Sequence, residues 1–260
     1  MASIALETMR AERIKLTSVQ SPWWCFAVIV ALGLGFAAMI GAVARSSMSI
    51  DDPAGRFHPT IDAAVGGVTG FGVLVLMILA ALSVTSEYRF GVIRTTFIAM
   101  PNRPLVLTVK SVFIGVLGAI LTGVVGLIAV YITKAVAGEE AGAQLVFDGD
   151  AGWRPVYGIP LFAFFAVVLA VGVGTLLRQS AGTIALLLLW PLLIESLFNL
   201  FGSFGREVMP FLPFANANHF LGIEQSVDFH WGPWGSLVYF AVFTLVVFGI
   251  SLLVVDRRDA

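Results

Sequence analysis

Residues 111–133 read SVFIGVLGAILTGVVGLIAVYIT, an uninterrupted apolar stretch that begins after Lys110 and ends before Lys134. A helix needs about 20 apolar residues to cross the hydrocarbon core of a bilayer. This stretch is long enough and contains no charged side chain, and a cation marks each of its ends. It therefore predicts a transmembrane helix.

Five other stretches have the same character and predict five more spans. They cover residues 23–44, 63–86, 155–177, 180–200 and 231–255, and the only charged residue in them is Glu195. The chain is 58% hydrophobic and 12% charged, whereas a soluble domain carries about 25% charged residues. The runs also lack the alternation of β-barrel strands. We predict an all-α integral membrane protein, a single domain over residues 1–260 that forms a bundle of six transmembrane helices.

The basic residues predict the orientation of this bundle. The N-terminal segment, the connection between spans two and three, and the C-terminal tail together hold most of the 15 Lys and Arg residues. Cytoplasmic loops of membrane proteins carry the excess of positive charge. We therefore expect a multi-pass protein with both termini in the cytoplasm.

The segment before the first span, residues 3–20, predicts an amphipathic helix in the cytoplasmic headgroup layer. Its apolar positions roughly share one face: Leu6, Met9, Leu16 and Val19. Its cations are expected to face anionic lipid; they are Arg10, Arg13 and Lys15. The alternative is a solvated basic tail.

The connection between spans two and three predicts a further helix over residues 87–100. Phe90, Ile93, Phe97 and Met100 recur at helical spacing and form one apolar stripe. Pro101 ends the helix because proline cannot continue it. A short turn suffices between two spans, so an amphipathic helix with several cations indicates a surface that binds a partner.

This connection resembles the permease subunits of ABC transporters of the second exporter type, in particular their actinobacterial branch. The resemblance lies in the sequence SEYR at 86–89, the run IRTT at 93–96 and the tail RRD at 257–259. It also lies in the spacing of six residues: Glu87, Arg89, Gly91, Pro101, Arg103 and Lys110. Val92 departs from the threonine that usually follows the glycine.

The resemblance implies a permease of the bacterial cell (plasma) membrane that works with a cytoplasmic ATP-binding-cassette ATPase, present in two copies. ATP and Mg would bind to that ATPase, and the permease would pair with a second copy of itself or with a homologous permease. The helix over 87–100 would be its coupling helix. Coupling to the ATPase would involve Glu87, Arg89, Gly91, Arg94, Pro101 and Arg103.

The outer connection over residues 201–230 is unusually apolar, as in MPFLPF at 209–214. Such a segment can dip back into the membrane where protein covers it. The resemblance implies short re-entrant helices here that cap the pathway, and it makes Phe211, Pro213 and Phe214 candidates for an outer gate. An interfacial loop packed on the bundle is the alternative.

Glu195 is the one ionisable residue well inside a predicted span, and it follows a helix kink predicted at Pro191. Charged residues at this depth face the bundle interior and commonly have a function. We consider a role in the translocation pathway for Glu195. The competing interpretations are a structural hydrogen bond to a neighbouring helix and a hydrated position near the outer interface.

Several chemistries are missing from the sequence. None of the lysines at 15, 110 and 134 belongs to a phosphate-binding P-loop, and hydrolase and metalloprotease motifs are absent. We therefore expect a transporter subunit with no cofactor or metal of its own, no enzymatic activity and no nucleic-acid partner. The alternatives are an ion-coupled secondary transporter and, third, an integral-membrane enzyme.

Overall fold

The computed structural model describes residues 2–50, 52–100, 102–143, 145–223 and 227–257. Its helices, in chain order, are α1 (Ala2–Ser18), α2 (Ser21–Ser47), α3 (Ile61–Arg89), α4 (Val92–Ala99), α5 (Arg103–Gly142), α6 (Gly149–Leu177), α7 (Ser180–Phe211), α8 (Pro213–Leu221) and α9 (Pro233–Arg257). A short 3₁₀ turn, Pro53–Gly55, lies between α2 and α3.

Six of these helices are long and apolar enough to cross a membrane: α2, α3, α5, α6, α7 and α9. The prediction of six spans in an all-helical chain is confirmed, and the chain is a multi-pass membrane protein. Most of the helices are longer than the predicted spans. α5 has 40 residues and contains a kink at Gly138 (φ 84°), and α7 continues to Phe211.

α3 and α6 form the centre of the bundle. In their most apolar windows, 61% of α3 and 67% of α6 is buried within the chain, against 11% of α7. The core side chains accordingly come mainly from α3 and α6, with α2, α5 and α9 packed around them. α7 lies at the periphery and presents most of its apolar surface outwards.

α2 and α3 approach each other closely at Gly67, the first residue of a widened π-helical turn, Gly67–Gly72. A Cβ atom at Gly67 would lie 2.7 Å from the carbonyl oxygen of Leu32 and 2.5 Å from the Cβ of Phe36. No larger side chain fits between the two backbones. Small residues commonly allow transmembrane helices to pack this closely.

The two ends of the bundle differ in composition. At one end, called the basic end below, α1, α4, the last turn of α3, the first turn of α5 and the end of α9 come together. The exposed cations Arg10, Arg13, Arg89 and Arg94 lie here. At the other end, called the far end, lie α8 and the connections between α2 and α3 and between α5 and α6. The short connection between α6 and α7 lies at the basic end, where Arg178 stacks on Tyr88.

Candidate functional site

α4 fills the connection between α3 and α5 at the basic end. α3 continues to Arg89, and Gly91 then adopts a left-handed conformation (φ 71°) that turns the chain before Val92. Glycine adopts this conformation without steric cost. The helix predicted over 87–100 is therefore shorter, Val92–Ala99, because Glu87 belongs to the last turn of α3. Pro101, also predicted to act in coupling, lies outside the described residues.

One side of α4 is buried against the bundle and the other is exposed. Ile93 and Phe97 are buried, whereas Ile98 is 81% exposed and Arg94 is exposed as well. Phe90 was expected on the buried stripe but is 71% exposed, because it precedes the turn into α4. The exposed side of α4 therefore combines apolar side chains with a cation.

Arg103 is held inside the chain. Its guanidinium lies 5.3 Å from the centroid of the Phe97 ring and donates a hydrogen bond to the carbonyl oxygen of Val255 at 3.3 Å. Arg103 thus joins α4 and α5 to the end of α9. Of the two arginines proposed to pair with a partner surface, Arg94 is the exposed one.

Four charged residues meet beneath α1 and form what we call the four-charge cluster: Glu12, Lys15, Glu87 and Lys110. The ammonium of Lys110 contacts Glu12 and lies 3.0 Å from Oε1 of Glu87. Lys15 lies 3.0 Å from Oε1 of Glu12 and 2.8 Å from Oε1 of Glu87. The charges of the two carboxylates and the two ammonium groups cancel, as buried ions require. The cluster fastens α1 to the ends of α3 and α5.

Lys15 is the most exposed member of the four-charge cluster. Burial acts to lower the pKa of Lys15, but the hydrogen bond to Glu87 and the negative charges of Glu12 and Glu87 outweigh it, so the pKa lies above its usual value. Lys15 therefore keeps its proton near neutral pH, and the cluster keeps its charge balance.

The orientation predicted for Lys15 is wrong in one respect. It was expected to face anionic lipid with Arg10 and Arg13, but it turns inwards to the two glutamates. Of the apolar residues of α1, Leu6 and Met9 are 56% and 38% exposed, whereas Leu16 packs against the core. The spacing of Glu12 and Lys15, three residues apart on one helical face, was the available signal.

Glu195 binds the start of α8. It follows the widened turn Trp190–Ile194, and its carboxylate accepts hydrogen bonds from Nε1 of Trp190 at 3.0 Å and from the backbone N–H groups of Phe214 at 3.0 Å and Ala215 at 2.6 Å. N–H groups in the first turn of a helix have no partner within it. Glu195 is 5% exposed and caps α8 from α7, the structural hydrogen bond considered above.

Other hydrogen bonds hold the segment around α8 in place. The side-chain amide of Asn216 donates to the carbonyl oxygens of Pro210 at 2.7 Å and Leu212 at 2.8 Å, and it accepts from Nε1 of Trp231 at 2.8 Å. α8 packs against α6 and α9, and most of its residues are buried. This part of the connection over residues 201–230 is therefore a helix embedded in the bundle.

The three outer-gate candidates occupy different environments. Phe211 is 53% exposed, whereas Pro213 and Phe214 are buried. The ring centroid of Phe214 lies 6.5 Å from that of Phe162 and 5.7 Å from that of Phe240. Pro213 and Phe214 form one wall of an apolar cavity of about 260 Å³ between α6, α7 and α9. Any movement of α8 would change this cavity.

His219 is the histidine of α8. Its Nδ1 lies 2.7 Å from the hydroxyl of Ser236, and its ring stacks on that of Phe229. Partial burial, and then the positive charge of Arg154, lower the pKa of His219 below its usual value. Among the described residues, no three His, Cys, Asp or Glu side chains are grouped closely enough to hold a metal ion.

We expect the protein to lose stability as the pH falls below the usual histidine pKa of about 6.5. Because the folded-state pKa of His219 is lowered, the stabilisation is complete above the unfolded-state value and is lost as the pH falls through the folded-state value. The test compares melting temperatures of the detergent-solubilised protein at neutral and mildly acidic pH. His219→Gln should flatten this dependence. His58→Gln, at an exposed position, should not, and equal curves for both variants would contradict the prediction.

Comparisons with other proteins add no family assignment. No protein-family model matches the chain, and no curated protein is significantly similar to it. A functional interpretation therefore depends on the residues described above.

Proposed function

We propose that this chain is the transmembrane permease subunit of an ATP-driven exporter in the bacterial plasma membrane, with both termini in the cytoplasm. In this proposal, two permease copies, or this chain and a homologous permease, form the substrate pathway. A separate ATP-binding-cassette ATPase, in two copies, binds ATP and Mg at the basic end. The resemblance of residues 86–110 to such permeases motivates the proposal.

The observation that carries the proposal is α4. A helix outside the spans presents an exposed face with Val92, Arg94 and Ile98, and its other face is buried on the bundle. Exposed large apolar side chains beside a cation are characteristic of a protein–protein contact. Its location at the basic end fits a cytoplasmic partner, because positive charge accumulates on that side of membrane proteins.

The contacts of α4 explain how a partner could move the spans. A displacement of α4 would be transmitted to the core by the buried side chains of Ile93 and Phe97. It would also reach α9, because Arg103, which contacts Phe97, donates to the carbonyl oxygen of Val255. The four-charge cluster joins the ends of α3 and α5 to α1. We expect these elements to move as one unit when two ATPase subunits close.

The surface of α7 supports pairing with a second permease. Only 11% of its most apolar window is buried within the chain. Leu192, Leu193 and Leu200 are 57%, 49% and 79% exposed, which leaves an apolar face for another copy or for lipid. In this arrangement the pathway would lie between the two copies.

We expect Arg94→Glu combined with Ile98→Asp to release the ATPase. The double change replaces the exposed cation and apolar contact with acids and leaves the buried side of α4 intact. Removing such central contacts costs roughly 2–4 kcal/mol of binding energy, a loss of about 30-fold or more in affinity. The measurement is purification of the tagged permease from native membranes, with bound proteins identified by mass spectrometry.

Arg45→Glu is the matched control, because Arg45 is an exposed arginine at the far end. The control should retain the ATPase and the double variant should lose it. An ATPase that copurifies equally with both variants would refute the assignment of α4. A wild-type permease that brings down no ATP-binding-cassette protein would refute the proposed function.

An ion-coupled secondary transporter is the second candidate. Interrupted helices and a buried acid are characteristic of such proteins, and α7 has both the widened turn at Trp190–Ile194 and Glu195. All three donors to Glu195 belong to the protein itself, which favours the structural role. Transport in proteoliposomes driven by a proton or sodium gradient without ATP would support this second candidate.

A further inference from the structure

An apolar groove follows α6 between α7 and α9. It is the cavity of about 260 Å³ that Pro213 and Phe214 border. Leu177, at one end of the groove, is the last residue of α6 and precedes Arg178, so this end lies at the level of the basic end. Pro213 and Phe214 begin α8 and lie towards the far end. The groove therefore runs along the spans, from the basic end towards the start of α8.

The walls of the groove are apolar. The residues of α6 that line it recur at helical spacing, from Leu169 to Leu177, and α9 contributes Phe243 and Val247. α7 contributes Trp190, whose Nε1 already donates to Glu195. The wall side chains thus offer no free hydrogen-bonding group, and the occupant of the groove must be apolar.

The groove opens to the surroundings between α6 and α7. Leu177 on α6 is 46% exposed and Leu186 on α7 is 39% exposed, and both line the groove. Both helices are membrane spans, so the molecules at this opening are the hydrocarbon chains of lipids. Leu187, on the inner side of α7, is 3% exposed.

The dimensions of the groove fit a single lipid chain. Leu169 precedes Leu177 by eight residues of helix, which is about 12 Å at 1.5 Å per residue. One leaflet supplies half of a hydrocarbon core of about 30 Å, so its chains have a similar length. A volume of about 260 Å³ over about 12 Å leaves a cross-section of about 20 Å². A helix, about 10 Å wide with its side chains, needs about 80 Å² and does not fit.

We propose that this groove binds one acyl chain of a phospholipid from the leaflet at the basic end. The carboxyl end of the chain lies near Leu177, and its methyl end reaches Trp190 and Phe214. The chain is surrounded by hydrocarbon both in the groove and in the bilayer, so its binding comes from close packing and not from removal of apolar surface from water. A bound chain packs against the start of α8. This site is independent of the proposed exporter function.

The test places a photoreactive group at a known depth. The full-length protein is reconstituted in phosphatidylcholine nanodiscs that contain some phosphatidylcholine with a diazirine at the methyl end of one chain. After irradiation, crosslinked residues are identified by mass spectrometry. Leu187 and Phe214 are 3% and 6% exposed, so only a chain inside the groove should label them, and we expect both to be labelled. A diazirine beside the carboxyl end of the chain should label Leu177 and leave Phe214 unlabelled.

Two neighbouring valines of α9 locate the site. Val247 lines the groove, whereas Val246 is exposed outside it. Val247→Phe puts an aromatic ring into the groove and should abolish the labelling of Leu187 and Phe214. Val246→Phe adds the same ring to the outer surface and should leave the labelling as in the wild type.

The shift of the label with the depth of the diazirine decides if Val247→Phe does not fold. Leu187 and Phe214 that stay unlabelled in the wild type would overturn the proposal, and a groove filled by side chains of a second copy would give this result. Equal labelling in the two folded valine variants would overturn it as well.

Discussion

Lys110→Met should lower the free energy of unfolding by about 3–5 kcal/mol, the cost of removing one partner from a buried ion pair. Lys110 is 1% exposed and contacts both Glu12 and Glu87. Without its ammonium, Lys15 alone faces two carboxylates, and the cluster carries a net negative charge in the interior. Methionine keeps an unbranched side chain only one heavy atom shorter, so the loss reports mainly the charge. The measurement is denaturant-induced unfolding of the protein in mild detergent.

Two further variants separate charge balance from loss of a side chain. Lys134→Met removes a lysine from the other end of the same helix, where it is exposed, and should change stability by less than about 1 kcal/mol. Glu12→Leu combined with Lys110→Met restores charge balance and leaves the pair of Lys15 and Glu87. Replacing a buried pair by apolar residues is often neutral, so the double variant should recover most of the loss. Equal losses in the single and double variants would contradict this account.

The six spans were predictable from sequence because their signal is local. A continuous apolar stretch with charged ends, as at residues 111–133, needs no knowledge of its neighbours to be recognised as a transmembrane helix. The start of α4 was harder to predict from sequence. Phe90 fits the helical stripe of Ile93 and Phe97 by spacing, but the left-handed conformation of Gly91 separates it from them.

The four-charge cluster could not be predicted from spacing alone. Glu12 and Lys15 precede the first span, whereas Glu87 ends α3 and Lys110 lies in the first turns of α5. Only packing of α1 against both helices brings them together. The contacts of Glu195 pose the same difficulty, because the donors at Phe214 and Ala215 follow it by 19 and 20 residues. For Glu195 the sequence indicated the unusual residue but not its partners, and for the four-charge cluster it indicated neither the burial nor the pairing.

Glu195→Leu should release α8 from the bundle. The substitution removes the carboxylate that accepts from Nε1 of Trp190 and from the N–H groups of Phe214 and Ala215. It also removes a polar acceptor from the N-terminus of α8, where the helix dipole is positive. Each unsatisfied buried donor costs about 1–3 kcal/mol. We expect a local opening at the far end, because the centre of the bundle is held by α3 and α6.

A single cysteine reports this opening. Ala217 lies in α8 and is 1% exposed, so Ala217→Cys in a Cys25→Ala background should react slowly with a maleimide. Adding Glu195→Leu should lower the free energy of opening α8 by at least about 1.4 kcal/mol. The open population, and with it the labelling rate, should then rise about tenfold or more. Glu207→Leu removes an exposed acid from the same helix and should leave labelling slow. Equal labelling in the two leucine variants would refute the capping role.

Glu195→Gln distinguishes capping from a role in translocation. Glutamine keeps one acceptor oxygen, so α8 should stay partly closed. The labelling rate at position 217 should then lie between those of the wild type and of Glu195→Leu. If capping is the whole role of Glu195, transport in proteoliposomes should decline in the same order as protection across the two variants. A glutamine variant that labels slowly at position 217 but has lost transport would show instead that the carboxylate acts on the transported molecule.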